Sequence, residues 1–439
     1  MRAVAWPLML GLLAASAPTG AADSLESALR DSQWFGYAKA MLVADDKEGG
    51  RPNQRTTGFG GKLGGETGSY HGFQLKAAAY TTQDLGLNNH DPRKIDTYMF
   101  DLDKMTYSLL GESQLKYSAG RTALTLGRQE IHSPLMASYD YRIIPNLYEA
   151  YTLVNRDLPD STVTLSYVSK MAGLDGLLDF SKFRSMSQQA YTSLKVAADG
   201  TVDAVNGDTL EVSRVVGHRG VWMAGLVYEQ THKFQLWNYY GVDTLNTVYL
   251  DGRLRQKLSE DWSTLLEAQT YRVAAVGQFK DYLAQRGLNA SYDLFGLKAT
   301  LAHRPSGLSV ALAGNHFTGD RNTVTAFSNW GGYPEFVIMP YIHAGNNGAT
   351  GIARSTLAKL TVLLDLGAWG LKDHNLLFGH AHIDLDERIL AGADIRVNSL
   401  LYRARLTPGL SARLALESRN SGHSRYNNEF VALALRYDF

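Results

Sequence analysis

Cysteine is absent from all 439 residues. That removes disulfide frameworks, thiolate metal sites and cysteine nucleophiles at once, and it is compatible with an oxidising envelope compartment. Net charge is absent too: 43 Lys and Arg balance 43 Asp and Glu, so nothing marks the chain for nucleic acid. Beyond the N-terminus there is no long apolar run, which excludes membrane helices of the usual ~20 apolar residues. The one short run, Leu8 to Ala17, follows Arg2 and precedes the small residues Gly20-Ala21-Ala22. This is the make-up of a secretory signal. The expectation is a signal peptide over 1–22, cleaved before Asp23, and a single domain over 23–439.

What the chain does have is tyrosine and alternation. Tyrosine outnumbers the other aromatics, 24 against 15 Phe and 7 Trp, and its apolar ring with a wet hydroxyl suits the two interfaces of a bilayer. The last ten residues read FVALALRYDF. Val431, Leu433, Leu435, Tyr437 and Phe439 share one parity, and Ala432, Ala434, Arg436 and Asp438 the other. In a strand this gives one apolar face and one small or charged face. No further segment follows to cover the apolar face. The last strand of a soluble sandwich would need such a layer, whereas a strand between lipid and a water-filled interior needs none.

From Gln33 onward about eighteen runs of this kind follow one another, with connections that alternate between short and long. Ser69–Tyr70, Gly120–Arg121 and Pro408–Gly409 are short; Gln83–Thr106, Ser133–Leu147, Gly173–Arg219 and Gly319–Ala353 are long. Tight periplasmic turns and long external loops are the habit of outer-membrane barrels. The fold expected is therefore all-β, a transmembrane antiparallel barrel of about 18 strands. Such a barrel is too wide for side chains to fill and leaves an aqueous channel. Two details sit at its margins: a small extra hairpin over Tyr191–Val196 and Thr209–Val216, and a helical turn at Ser24–Leu29.

Two of the long loops are too apolar for water. Ser133–Leu147 reads SPLMASYDYRIIPNL, and the other runs NWGGYPEFVIMPYIH to His343. Exposed apolar area on this scale is unusual, so both are expected to fold into the lumen, stiffened by Pro134, Pro145, Pro334 and Pro340. The candidate constriction residues are Ser133, Tyr139, Asp140, Tyr141 and Arg142 in the first, and Trp330, Tyr333, Glu335 and Tyr341 in the second. Parity assigns the lumen charges. Arg403, Arg405, Arg413, Arg419 and Arg436 project inward near the C-terminus, as do Arg253, Arg255 and Lys257 earlier. A register set by the Pro408–Gly409 turn brings Arg405 almost opposite Arg413, and like charges facing each other need a counter-charge or a purpose. Either carboxylates such as Glu417, Asp438 and Asp251 neutralise them, or they attract anions.

Other chemistry is thin. His380, His382 and Asp384 share one strand face, taken here as a lumen face, but no further ligand is evident and no metal is expected. The glycines from Gly58 to Gly65 fit no nucleotide-binding pattern. They read as a strand with close backbone neighbours. No cofactor is expected. The one close nucleophile pair, His423–Ser424, has no third member, so an enzyme is not the expectation.

The stretch LGRQEIHSPLMASYDYRIIPNLYEAYTL with PDSTVTLSYVSKMAG, from Leu126 to Gly173, resembles the OprD family of outer-membrane porins. So do the hairpin from Gly220 to Val242 and the terminal strand. The resemblance implies an eighteen-strand barrel narrowed by its third and seventh external loops, which are the two apolar loops here. It also implies passive, selective uptake of small molecules, often carboxylates, with the lumen arginines as a basic ladder. The partners expected are small solutes, the lipid bilayer and the barrel-assembly machinery, through the Phe439 strand. The channel itself is expected as a monomer or loose homotrimer. The alternative that the residues leave open is a barrel exporting an anionic polysaccharide, whose arginines would grip a polymer.

Overall fold

The computed structural model describes residues 24–101, 106–176, 179–189, 191, 195–196, 208–324, 330–339, 353–388, 392 and 394–439. The alternating runs form strands: β1 Gln33–Lys47, β2 Gln54–Glu66, β3 Phe73–Gln83, β4 Tyr107–Ala119, β5 Thr122–Gln129 and β6 Leu147–Asn155. They continue as β7 Ser161–Ala172, β8 Val221–Glu229, β9 Lys233–Gly241, β10 Leu245–Lys257, β11 Trp262–Ala275 and β12 Tyr292–His303. The last six are β13 Leu308–Phe317, β14 Thr356–Asp365, β15 His374–Asp384, β16 Ile395–Arg405, β17 Leu410–Ser421 and β18 Asn428–Asp438. Each pairs antiparallel with its neighbours in chain order. β18 returns to β1, with Tyr37 opposite Asp438 and Lys47 opposite Asn428. Gly36 N–H donates to Phe439 O at 3.0 Å and completes the seam. Closure pairs each of these eighteen strands on both sides, the condition a sheet must meet in hydrocarbon. No helix among the described residues is long and apolar enough to cross a membrane; the strands cross instead.

The outward parity of the wall is apolar and uncovered. On β18, Leu433 is 38% exposed while its neighbour Ala432 is fully buried. The hydrophobic core therefore lies inside the wall, where the inward side chains meet loops folded back onto them. Tyr148, Tyr239, Tyr271, Tyr292 and Trp330 are among its largest wholly buried members. An eighteen-strand barrel cannot fill itself with wall side chains, so the loops supply the missing volume.

Local details follow their sequence. Ser24 caps the helix Leu25–Arg30 through a reciprocal bond with Ser27, and Ala28 O accepts the Gly68 N–H at 2.9 Å. Among the described residues between β7 and β8, the expected hairpin pairs Lys195–Val196 with Asp208–Thr209, while Ser213–Val216 is a helical turn rather than strand. A further two-residue strand, Arg184–Ser185, adds to β7 outside the closed ring.

Two expectations from parity and turns change. The β16–β17 turn centres on Pro408, with Leu406 N–H donating to Leu410 O at 2.8 Å. Arg403 is thus the residue opposite Arg413, and Arg405 faces Ser411. His380, His382 and Asp384 do share a face, but it is the outer one. Gly379, Ala381 and Ile383 are buried on the lumen side of β15, while Phe378 and His380 are exposed outside. Alternation alone cannot distinguish the faces here, because both carry apolar residues.

Candidate functional site

The third external loop, between β5 and β6, turns into the lumen and is pinned along its length. Ser133 Oγ accepts from Tyr239 Oη at 3.0 Å, and Tyr239 Oη accepts the Leu135 N–H at 3.3 Å. On the opposite wall Tyr37 Oη donates to Ile143 O at 2.8 Å. Arg142 Nε reaches Asp96 of the second loop at 2.7 Å, with both side chains buried. The glycines of β2 are what let this loop lie so close. A Cβ at Gly60 would come within 2.7 Å of Ile143 and 2.0 Å of Thr81 O. The loop thus spans the barrel from β9 to β1.

The seventh loop, between β13 and β14, meets it from the other side. Ala137 N–H donates to Trp330 O at 3.1 Å, and Tyr148 Oη donates to the same carbonyl. Val337 N–H donates to Asn315 Oδ1 at 2.8 Å, Tyr271 Oη to Glu335 Oε1 at 2.8 Å, and Lys359 Nζ to Ile338 O. Asp175, from the loop between β7 and β8, ties the assembly together. Its Oδ2 accepts from Asn146 of the third loop at 2.6 Å, and its Oδ1 from Tyr333 of the seventh at 3.0 Å. Tyr139, Tyr141 and Tyr333 follow one another, with ring centroids 5.7 and 6.0 Å apart.

Beside the tip of the third loop runs a row of cations from four neighbouring strands. Arg403 and Arg413 face each other on β16 and β17. One step along, Arg405, Ser411, Arg436 and Lys39 pair in turn across β16, β17, β18 and β1. Arg403 and Arg405 are exposed, Arg413 and Arg436 half-buried, and Lys39 buried. Asp140 lies against this row: its Oδ2 is 3.2 Å from Lys39 Nζ and 2.5 Å from Arg436 Nη1. Burial pushes the Asp140 carboxyl up, but the Lys39, Arg436 and Arg413 charges outweigh it and hold the group below the usual carboxylate range.

A model of the OprD outer membrane porin family matches residues 70–329, more than half of the chain. The chain belongs to the OprD family of outer membrane porins. Its fold agrees with that of solved Pseudomonas aeruginosa channels. OccK9 (OpdG) superposes with a TM-score of 0.75 and 14% identity, covering 94% of this chain and 100% of that one. OccK8 (OprE) gives 0.71 at 14% identity, with 94% and 99% covered. OpdK, solved with vanillate, gives 0.70 at 14%, also with 94% and 99% covered. No curated protein matches by sequence. As an OprD-family porin the chain is an outer-membrane protein of a Gram-negative bacterium and a passive channel for small solutes; family and fold indicate a channel rather than an enzyme.

Within this porin the residues singled out from sequence divide by position. Tyr139, Asp140 and Tyr141 are half-buried at the loop tip, whereas Ser133, Arg142, Trp330, Tyr333 and Glu335 are buried and fasten the loops. Tyr341 lies outside the described residues. Arg253 stands on β10, well away from the cation row, at 3.2 Å from Asp251 and 3.4 Å from Glu267. Lys257 bonds Glu260 at the periplasmic rim, with Arg255 exposed beside it. Arg419 is buried near the outer end of β17, donating to Asn428 Oδ1 at 2.6 Å. An apolar groove of about 870 Å³ runs over the outer face of the wall, bordered by Leu254, Leu266, Leu297, Leu312 and Leu360. Lying on the lipid side, it is no route for a polar solute.

Three participants carried little or no sequence signal. Lys39 sits between Tyr37 and Met41 on a strand whose two faces are both apolar, so its direction was not readable. Asp96 and Asp175 belong to loops whose partners lie far along the chain.

The buried loop carboxyls lead us to expect a pH-dependent constriction. Burial pushes Glu335 up to about 7 and Asp175 up to about 6, from ordinary values of 4.5 and 3.8. With the loops seated, both groups bind protons more tightly than free carboxyls do. Seating is therefore favoured in acid, weakens between about pH 4 and 7, and levels off above that. Single-channel conductance is expected to rise across this range in the native porin. The Glu335→Gln variant should show a flatter rise, and an unchanged profile would rule Glu335 out as the titrating group.

Proposed function

We propose that this porin selects small anionic solutes, carboxylates above all, by means of the cation row at Lys39, Arg403, Arg405, Arg413 and Arg436. The observation that carries the reading is the convergence of five cations from four adjacent strands beside the tip of the third loop. Arginine stays charged at physiological pH and presents a planar fork that matches a carboxylate. A patch in which cations outnumber carboxylates, as here with Asp140 and Asp438 among five cations, raises the local concentration of anions in a narrow channel. Vanillate, the ligand named for the similar OpdK structure, is itself a carboxylate, and this supports the same chemistry here. Two seated loops suit a small solute better than an exported polymer. By this reading the leader over 1–22 is removed on export, and the apolar strand ending at Phe439 addresses the chain to the barrel-assembly machinery.

Replacing Arg403 and Arg405 together by Ala should slow carboxylate entry into liposomes far more than entry of a neutral sugar of similar size. Because both arginines are exposed, the difference should shrink at high ionic strength. Reversal potentials supply the check: a double variant that keeps the native anion/cation ratio and carboxylate flux would make these arginines ordinary wall charges.

A further inference from the structure

We infer that Asp140 is a tethered competitor: its carboxylate fills a monocarboxylate-binding site made by Lys39, Arg413 and Arg436, and a solute passes by displacing it. This rests on the anion-selective reading above and says where in the pore the selected anion is bound. An aspartate side chain is chemically an acetate on a short tether, so what holds Asp140 also holds a free carboxylate. The geometry is that of a filled site. One oxygen, Oδ2, lies 3.2 Å from Lys39 Nζ and 2.5 Å from Arg436 Nη1. Arg413 adds its charge, while Asp438 takes a share of Arg436 at 2.7 Å.

Two features make exchange feasible without unseating the loop. The backbone on either side of the tip is held independently of the Asp140 carboxylate. Ser138 N–H donates to Ile131 O at 2.8 Å, and Arg142 and Ile143 are bound to Asp96 and Tyr37. Lys39 Nζ also donates to the Asp140 main-chain carbonyl at 2.8 Å, so the ammonium keeps one partner while the side chain swings away. A buried ammonium left with no anion at all is costly, so the site is more stable when filled by one carboxylate or the other. A tethered group has an effective concentration in the millimolar range or above. Asp140 thereby weakens solute binding, and a channel needs its solute to leave as well as to enter.

The test is acetate block of single-channel current in purified protein, comparing native porin with Asp140→Asn and Asp140→Glu. Removing the competitor should lower the half-blocking acetate concentration at least about tenfold in Asp140→Asn and raise the anion/cation permeability ratio. Asp140→Glu keeps a tethered carboxylate and should stay near the native value. If Asp140→Asn blocks like the native protein while the native channel prefers anions, the competitor is overturned and the anion-selective reading stands. If Asp140→Glu shifts as far as Asp140→Asn, loop disturbance rather than charge is responsible, and the inference again fails. A native channel with neither acetate block nor anion preference would overturn both.

Discussion

Leu433→Arg is expected to leave the porin unassembled, migrating as an unfolded chain in a heat-modifiability gel. Leu433 lies midway along β18, its side chain on the uncovered outer face. An arginine facing lipid near the bilayer midplane costs ~2–4 kcal/mol, a large part of the ~5–15 kcal/mol that holds a typical fold together. β18 also carries half of the seam with β1, where Leu42 faces Leu433, so the damage falls where the ring closes. Thr164→Lys is the matched control. Thr164 is half-buried on the lumen side of β7, opposite in parity to the exposed Leu165, and the added charge there meets water. Equal loss of folded protein in both variants would contradict the assignment of faces. Ala432 and Ala434 would be poor controls, although parity turns them toward the lumen. They are buried, and Ala432 sits opposite Val43 in the packed region beneath the third loop.

Excising residues 137–142 should raise single-channel conductance several-fold and relax selectivity, while the barrel stays folded. The segment holds the bond from Ala137 to Trp330, the tip at Tyr139–Tyr141, and the Arg142 pair with Asp96. It takes no part in the strand pairing of the wall, because β5 and β6 pair directly from Thr122 opposite Asn155 to Gln129 opposite Tyr148. A ring of eighteen strands is wide enough for an aqueous channel once its inward loops are gone. The check is planar-bilayer conductance together with heat-modifiable migration. Folded protein with unchanged conductance would show that the third loop does not set the narrowest point.

Strand alternation, turn spacing and the apolar make-up of two loops made the wall and the inward folding legible, because each is a local pattern with a strong physical cause. Leu433 and Leu435 announce lipid, and SPLMASYDYRIIPNL cannot lie in water. The rest depends on contacts that no local pattern encodes. Asp175 is unremarkable in sequence, yet it joins three loops. The facing of Arg403 and Arg413 turned on a turn centred one half-residue away from where the Pro-Gly pair suggested. The outward placement of His380 and His382 was hidden because glycine and alanine serve on a lumen face where a loop presses close. At Gly379 an added Cβ would lie 3.3 Å from Met339 of the seventh loop.

The bonds that seat the loops also impose an order of assembly. Leu135 and Tyr239 are 104 residues apart, Asp175 and Tyr333 158, and Tyr148 and Trp330 182, whereas successive strands of the wall are neighbours in the chain; the seam, where Gly36 meets Phe439, joins residues further apart still. Contacts between distant residues form late, since the intervening chain must first be ordered. Loop docking therefore follows the pairing of successive strands, and the bore stays open until it happens. A molecule whose strands have paired but whose loops have not docked is wide and unselective, and the speed of loop docking sets how long that stage lasts.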